Sequence, residues 1–277
     1  MTKQAQPQAH GQPEDDRLTI ADRTFSSRLF VGTGKYPSFE TMVKAIQASG
    51  TEMVTVAVRY MNLDNPGAES VLDYLAPLQC HLLPNTAGAT TVKQAVRMAH
   101  LAREATGTNW IKLEVIGDDR TLWPDTAQTV EATRVLVEEG FVVLPYTSPD
   151  LVAAIRLEEA GAAAVMPLAA PIGTGQGLLD WVGIRRIVER VSVPVVVDAG
   201  LGVPSDAAKA MEMGVDAVLI NTAIALAQDP PKMAAAMKYG VVAGRQAYLA
   251  GRMPVRDEAS PSSPAAGVIR ETAAAGS

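Results

Sequence analysis

The stretch Trp110-Ile-Lys-Leu-Glu-Val-Ile-Gly117 places a lysine and a carboxylate two residues apart in an otherwise apolar run. Because strand side chains alternate between two faces, Lys112 and Glu114 share one face. The apolar neighbours predict a buried strand, in which Lys and Glu are rare unless they are paired or functional. A structural ion pair that closes a barrel layer and a catalytic amine kept neutral by burial both fit this pattern. The segment alone leaves both interpretations open.

Seven similar runs occur along the chain, which makes eight in all. They are Leu29–Gly34, Met53–Arg59, His81–Thr86, Phe141–Thr147, Ala163–Ala169, Pro194–Gly200 and Ala217–Ala223. Helix-compatible segments follow them, for example Thr91–Ala105, Asp125–Glu139, Pro149–Ala160, Leu179–Val191 and Pro204–Met213. Several helices are expected to end at a glycine cap, at Gly140, Gly161 and Gly214. Eight strand–helix units predict an α/β protein with a single (β/α)8 TIM barrel.

A doubly wound parallel sheet is the alternative to the barrel. Its dinucleotide-binding members carry Gly-x-Gly-x-x-Gly after the first strand. Here Gly32-Thr-Gly34 continues into Lys35-Tyr-Pro37, which matches that loop poorly. The barrel is therefore favoured.

The barrel is expected to span residues 18–256. Residues 1–17 are rich in Gln and polar residues, and residues 257–277 are rich in Ser, Pro and Ala, so both tails are expected to be disordered. The segment Leu18–Ser27 is interpreted as a short hairpin that plugs the bottom of the barrel.

Composition excludes several functions. The net charge of −6 and the lack of a basic stripe argue against a nucleic-acid partner. The three histidines and the single Cys80 show no metal-ligand spacing, so no metal is expected. A single cysteine forms no internal disulfide, and Cys80 is interpreted as a small core residue. With neither a transmembrane run nor a signal peptide in the sequence, no membrane association is expected, and the predicted location is the cytoplasm.

The carboxyl ends of barrel strands carry function, and polar residues cluster at the ends of these runs. Glycines in Pro171–Gly177 and Ala199–Gly202 allow backbone N–H groups to approach an anion, and Asn221-Thr222 adds donors beside them. Ser205 is a candidate cap of the following helix. These loops predict a phosphate site, although glycine-rich turns without a ligand are the plainer interpretation.

Asp198 ends the run Val195-Val-Val-Asp and is expected to face the barrel mouth. With Lys112 and Glu114 it forms a set of one amine and two carboxylates, which suits imine formation followed by proton transfer at the adjacent carbon. A simple salt bridge is the alternative for Asp198. Arg59 either orients substrate or pairs with a carboxylate.

Six stretches together resemble the bacterial thiazole synthases of thiamine biosynthesis, over roughly residues 18 to 250. They are Val54–Arg59, Pro84–Gly88, Lys112–Asp118, Met166–Gly173, Val197–Gly202 and Asn221–Ala225. The resemblance implies an enzyme that condenses 1-deoxy-D-xylulose 5-phosphate, dehydroglycine and sulfur from a thiocarboxylated sulfur-carrier protein into a thiazole phosphate carboxylate. It implies no cofactor.

By match to the family's motifs, Lys112 is implied to form the imine with the sugar ketone, and Glu114 and Asp198 to act as acid and base. Gly173, Ala199, Gly200, Asn221 and Thr222 are implied to hold the sugar phosphate. The chain departs from the family at Tyr60, which follows Arg59 where a second arginine is common. Any role of that second arginine is thus in doubt here.

The resemblance further implies a homo-oligomer, a dimer or a tetramer, that docks the sulfur carrier and contacts the enzyme that supplies dehydroglycine. The carrier is expected on the loops near Lys35-Tyr36 and Tyr60-Met61, outside the phosphate site, although a subunit contact there is equally compatible. From the residues alone, a class I aldolase-like barrel acting on another phosphosugar and a non-catalytic phosphosugar-binding barrel stay open.

Overall fold

The structure is a computed structural model that describes residues 16–58 and 70–263. Within these residues eight parallel strands form the barrel: β3 Leu29–Gly32, β4 Met53–Ala57, β5 His81–Asn85, β6 Trp110–Leu113, β9 Val142–Thr147, β10 Met166–Pro167, β11 Val196–Asp198 and β12 Ala217–Ile220. They pair in chain order, and β12 pairs with β3. Bridges Val165–Val195 and Leu168–Asp198 join β10 to β11 and close the ring. The TIM barrel is confirmed.

Helices surround this ring. They are α1 Phe39–Ser49, α2 Val71–Leu75, α3 Val92–Thr106, α4 Thr126–Glu138, α5 Leu151–Glu159, α6 Trp181–Arg190, α7 Pro204–Glu212, α8 Thr222–Ala225 and α9 Pro230–Ala250, with a 3-10 turn over Ala76–Leu78. Most start at a side-chain cap: Asp125, for example, accepts the N–H of Gln128 at the start of α4. The predicted left-handed glycines Gly140, Gly161 and Gly214 all have positive φ.

Ser205 does not cap α7, contrary to expectation. It lies inside the first turn, and the Asp206 carboxylate instead accepts the N–H groups of Gly202 and Val203. This contact fixes the glycine loop that precedes the helix.

The predicted hairpin is present as β1 Leu18–Ile20 and β2 Arg23–Phe25. Its buried side chains Leu18, Ile20 and Phe25 belong to the same apolar cluster as strand residues inside the barrel. Phe25 packs edge-on against Trp110, with ring centroids 6.2 Å apart. The hairpin thus covers the amino-terminal end of the barrel interior.

Asp16, at the edge of the described residues, ties this hairpin to the last helix. Its carboxylate pairs with Arg28 at 2.9 Å and with Arg245 of α9 at 2.6 Å. Of the two predicted tails, residues 1–15 and 264–277 lie outside the described residues.

The run Trp110–Gly117 is shorter as a strand than predicted. Strand β6 ends at Leu113, and Ile116–Asp118 forms a separate antiparallel ribbon, β7, with β8 at Trp123–Pro124. The chain leaves the barrel here because Ile116 donates its N–H to Ala89 rather than to a neighbouring strand. Glu114 therefore lies in the short connection between barrel and ribbon.

Candidate active site

An open cavity of about 620 Å³ lies at the carboxyl ends of the barrel strands. Its walls come from the loops after β3, β5, β6, β10, β11 and β12, and its charged lining residues are Lys35, Lys112, Glu114, Asp119 and Asp198. Every predicted site residue in the described part of the chain lines this cavity. Arg59 falls outside the described residues.

Lys112, Glu114 and Asp198 meet in the cavity. The Lys112 Nζ lies 2.5 Å from Asp198 Oδ2 and 3.2 Å from Glu114 Oε1. All three residues are buried, with exposed fractions of 5%, 5% and 2%. The expected amine with two carboxylates is thus assembled from β6, its carboxyl-terminal connection and β11.

The two carboxylates dominate the environment of the Lys112 amine. Burial disfavours the ammonium, but Asp198 and Glu114 outweigh burial and raise the pKa of Lys112. Of the two interpretations that the sequence left open, the ion pair is present, and a catalytic role of Lys112 stays a prediction. Burial raises the pKa of the Asp198 carboxyl, against the lowering effect of Lys112. Asp198 lies closer to the Lys112 nitrogen than Glu114 does, and its raised pKa favours it as the acceptor of the lysine proton.

Tyr146 of β9 packs beside the charged group, which the sequence did not indicate. Lys112 Nζ lies 5.7 Å from its ring centroid, and its hydroxyl donates to the carbonyl of Leu122 at 3.3 Å. Burial raises the pKa of this phenol, as do Asp198 and Glu114. The ring thus supplies a neutral wall against which the ammonium is held.

Thr55 and Asn85 form a polar section of the cavity wall near Lys112. Asn85 pairs in register with Lys112 across β5 and β6 and donates from Nδ2 to Thr55 Oγ1 at 3.0 Å. Both residues line the cavity. They are candidates for contacts with hydroxyl groups of a ligand; Asn85 ends β5, whereas Thr55 lies inside β4.

The predicted phosphate loops converge on one side of the cavity. Gly173, Ala199 and Gly200 all have left-handed φ angles, of 79°, 64° and 75°. The loops are bonded together, since the N–H of Gly177 donates to the carbonyl of Gly200 at 2.8 Å. A Cβ added at Gly173 would lie 3.7 Å from Thr222 Oγ1. The missing side chain thus leaves space between these loops.

Asn221 lines the cavity beside the end of β3. A Cβ at Gly32 would come within 2.7 Å of the Asn221 side chain, so the glycine at the end of β3 makes room for the amide. Among the described residues, Asn221 Oδ1 has no hydrogen-bond partner although it is buried. An unsatisfied buried acceptor of this kind is open to a ligand donor.

Lys35 and Tyr36, where the sulfur carrier was expected to dock, differ in exposure. Lys35 is exposed and lines the cavity, and its Nζ would lie 3.4 Å from a Cβ at Gly173. Tyr36 is half-buried and packs against the core, with its hydroxyl buried. Lys35 thus lies beside the predicted phosphate loops, and carrier docking on this loop stays a prediction. The other two residues, Tyr60 and Met61, lie outside the described residues.

Metal clusters and membrane-spanning helices are both absent from residues 16–58 and 70–263. No group of His, Cys, Asp and Glu in these ranges could hold a metal ion, and no helix there combines the length and the apolar character of a membrane span. Cys80 is a half-buried free thiol whose pKa is raised by burial and by Glu52.

The chain is similar to one protein family over most of its length. The family model described as thiazole biosynthesis protein ThiG matches residues 19–264. Curated thiazole synthases are 56% identical in Aquifex aeolicus, over 92% of this chain and 96% of that protein, and 58% identical in Solibacter usitatus, over 92% and 98%.

Solved structures show the same barrel. A chain in the crystal structure of the Amycolatopsis orientalis BexX/CysO complex is 37% identical with a TM-score of 0.78, over 87% of this chain and 98% of that one. Thiamine phosphate pyrophosphorylase from Pyrococcus furiosus has a TM-score of 0.55 at 18% identity, over 78% of this chain and 96% of that chain, and so shares the fold alone.

Proposed function

Because the chain belongs to the thiazole synthase family of thiamine biosynthesis, we propose that it condenses 1-deoxy-D-xylulose 5-phosphate, dehydroglycine and sulfur from a thiocarboxylated carrier protein into a thiazole phosphate carboxylate. The observation that carries this proposal is the buried amine of Lys112 between two carboxylates, in a cavity walled by glycine loops.

The first step is imine formation at Lys112. The ammonium gives a proton to Asp198, 2.5 Å away, and the neutral amine attacks the sugar ketone carbon. The carbinolamine then loses its oxygen as water, with a proton supplied by an adjacent carboxylic acid. Burial of Asp198 supports this role, because it raises the pKa of the acceptor and makes the proton transfer less uphill.

The second step moves a proton at the carbon next to the imine. The protonated imine withdraws electrons, so a carboxylate can remove that proton and return it to a neighbouring atom. Glu114 and Asp198 both lie within 3.2 Å of the Lys112 nitrogen, which supports their use as the two proton-transfer groups.

The sugar phosphate is held by the loops after β10, β11 and β12, through Gly173, Ala199, Gly200, Asn221 and Thr222. The left-handed φ angles of Gly173, Ala199 and Gly200 support this assignment, because such turns can point backbone N–H groups toward an anion. This arrangement keeps the anion on one side of the cavity while the ketone reaches Lys112.

Sulfur arrives on a protein tail that enters the open cavity. The similar solved chain belongs to a complex of two proteins, which supports the docking of a protein partner on this barrel. We extend the proposal to a homo-oligomer in the cytoplasm that also receives dehydroglycine from a partner enzyme. The single free thiol, Cys80, supports a reducing compartment.

A class I aldolase-like barrel would use the same lysine and phosphate loops, but family membership favours the synthase. A non-catalytic phosphosugar-binding barrel would need no buried amine beside two carboxylates. Neither alternative has an observation of its own in its favour.

Borohydride reduction in the presence of 1-deoxy-D-xylulose 5-phosphate tests the proposal. We expect a mass adduct on Lys112, none in Lys112→Ala, and none in Lys112→Arg because guanidinium stays protonated. Lys93→Ala, on the exposed surface of α3, is the matched control and should retain the adduct. Thiazole product should then depend on the thiocarboxylated carrier. An adduct on another lysine, or product without the carrier, would contradict the proposal.

A further inference from the structure

Three loops approach one point in the cavity. A Cβ built on Gly173 would lie 3.4 Å from Lys35 Nζ and 3.7 Å from Thr222 Oγ1. These residues come from the loops after β10, β3 and β12, which are far apart in sequence. The volume that Gly173 leaves free is therefore bordered by an ammonium and a hydroxyl, two donors suited to an anion.

Among the described residues that line this cavity, Lys35 is the available cation. Lys112 is held by two carboxylates, whereas the described residues include no ion-pair partner for Lys35. The other charged groups on the wall are Glu114, Asp119 and Asp198, so carboxylates outnumber ammonium groups. A phosphate that enters such a cavity needs a nearby positive charge to offset this repulsion.

The backbone at Lys35 is held in an unusual conformation. Its φ angle is +70°, in the left-handed region that glycine adopts readily and a lysine does not. Gly34 precedes it, and the half-buried Tyr36 anchors the chain after it. Positions of this kind cluster at ligand sites, where surrounding structure maintains the strain.

We propose that Lys35 forms part of the sugar-phosphate site, with its ammonium bound to a phosphate that lies beside Gly173 and Thr222. The inference rests on the proposed function, because it takes its ligand from that reaction. With Lys35 included, the phosphate lies nearer to β3 than the glycine loops alone would place it. The lysine also adds a formal positive charge, which the glycine loops lack. Lys35 is a substrate-binding residue here and takes no part in the proton transfers at Lys112.

The test compares two ligands, 1-deoxy-D-xylulose 5-phosphate and the same sugar without phosphate. Lys35→Ala should weaken binding of the phosphorylated sugar about tenfold or more, the loss expected for a charge-assisted hydrogen bond. It should leave binding of the unphosphorylated sugar unchanged. Lys35→Gly relieves the backbone strain and should show the same selective loss without loss of stability. Lys93→Ala on α3 is the control lysine.

The outcomes separate this inference from the proposed function. Equal effects of Lys35→Ala on the two sugars, or no effect on either, would overturn the role of Lys35 while leaving imine formation at Lys112 intact. Normal binding of the sugar phosphate with loss of carrier-dependent product would also overturn it and assign Lys35 to carrier docking. If the unaltered protein neither forms the adduct nor prefers the phosphorylated sugar, the proposed function itself fails.

Discussion

The hydroxyl of Thr86 satisfies both main-chain polar groups of Glu114. It donates to the Glu114 carbonyl at 2.8 Å and accepts the Glu114 N–H at 2.8 Å. Both residues are buried. The Thr86 hydroxyl thus makes the hydrogen bonds that a neighbouring strand would otherwise make, at the point where β6 ends. It thereby holds Glu114, whose carboxylate pairs with Lys112.

Replacement of Thr86 by valine keeps the shape and removes the hydroxyl. Two buried main-chain groups then lack partners, at ~1–3 kcal/mol each, so the free energy of unfolding should fall by about 2 kcal/mol or more. Turnover should fall too, because Glu114 is no longer held. Thr86→Ser retains the hydroxyl and is the control. Urea denaturation and steady-state rates measure both effects; a valine variant as stable and active as the serine variant would contradict this prediction.

Neutral replacement of the carboxylates should slow the reaction. Glu114→Gln and Asp198→Asn are each expected to lower turnover by ~100-fold or more, the range for lost general acid–base groups. Binding of the sugar phosphate should change little, because neither carboxylate lies in the phosphate loops. Kinetics with separate measurement of sugar binding would decide the matter, and near-normal rates in both variants would make these carboxylates structural.

The pH dependence of lysine trapping gives a further test of Asp198. Burial lowers and the two carboxylates raise the pKa of Lys112, with the balance upward. Asp198→Asn removes one of the two negative charges, so the Lys112 pKa should fall and the neutral amine should appear at lower pH. The midpoint of borohydride trapping against pH should therefore shift down. A shift upward, or none, would show that Asp198 does not control this amine.

Two glycines of the phosphate loops should respond differently to alanine. A Cβ at Gly200 would clash with the main-chain nitrogen of Ala170, so Gly200→Ala must move backbone and should cost about 2 kcal/mol or more. At Gly173 the nearest atom is the flexible end of Lys35, so Gly173→Ala should cost only about 1 kcal/mol from its left-handed backbone. Its main effect should be weaker sugar-phosphate binding. Thermal unfolding and ligand titration distinguish the two, and equal destabilisation would contradict the assignment.

His81 should make stability fall in mild acid. Burial lowers its pKa to about 4, aided by Arg23, and its ring packs against Trp110 with centroids 4.5 Å apart. The folded state therefore favours neutral imidazole, and the resulting stability should be lost as pH falls from about 6.5 toward about 4. His81→Leu should flatten this part of the profile. An unchanged slope in His81→Leu would refute the role of His81.

The barrel and its charged centre could be predicted because they depend on local pattern. Apolar runs with helical segments between them determine the architecture, and Lys112, Glu114 and Asp198 stand at or near strand ends that meet in any closed parallel barrel. The meeting of these three side chains at the barrel mouth can therefore be predicted from the fold, without knowledge of side-chain packing.

The remaining features depend on contacts between segments distant in sequence. The approach of Lys35 to Gly173 and Thr222 crosses the barrel mouth, and no spacing in the chain indicates it. The raised pKa of Lys112 depends on two carboxylates within 3.2 Å of its nitrogen, one of which comes from β11. The end of β6 at Leu113 likewise depends on the Thr86 hydroxyl, a contact with the preceding strand–helix connection.

The hairpin Leu18–Phe25 closes one end of the barrel and so affects how product leaves. Its apolar side chains fill the amino-terminal end of the barrel, whereas the cavity opens at the opposite end. In the proposed reaction the product would therefore leave by the opening through which the next ketose enters. Product release through this opening is therefore expected to be the slowest step of the proposed cycle. A burst of product in pre-steady-state kinetics would support this expectation.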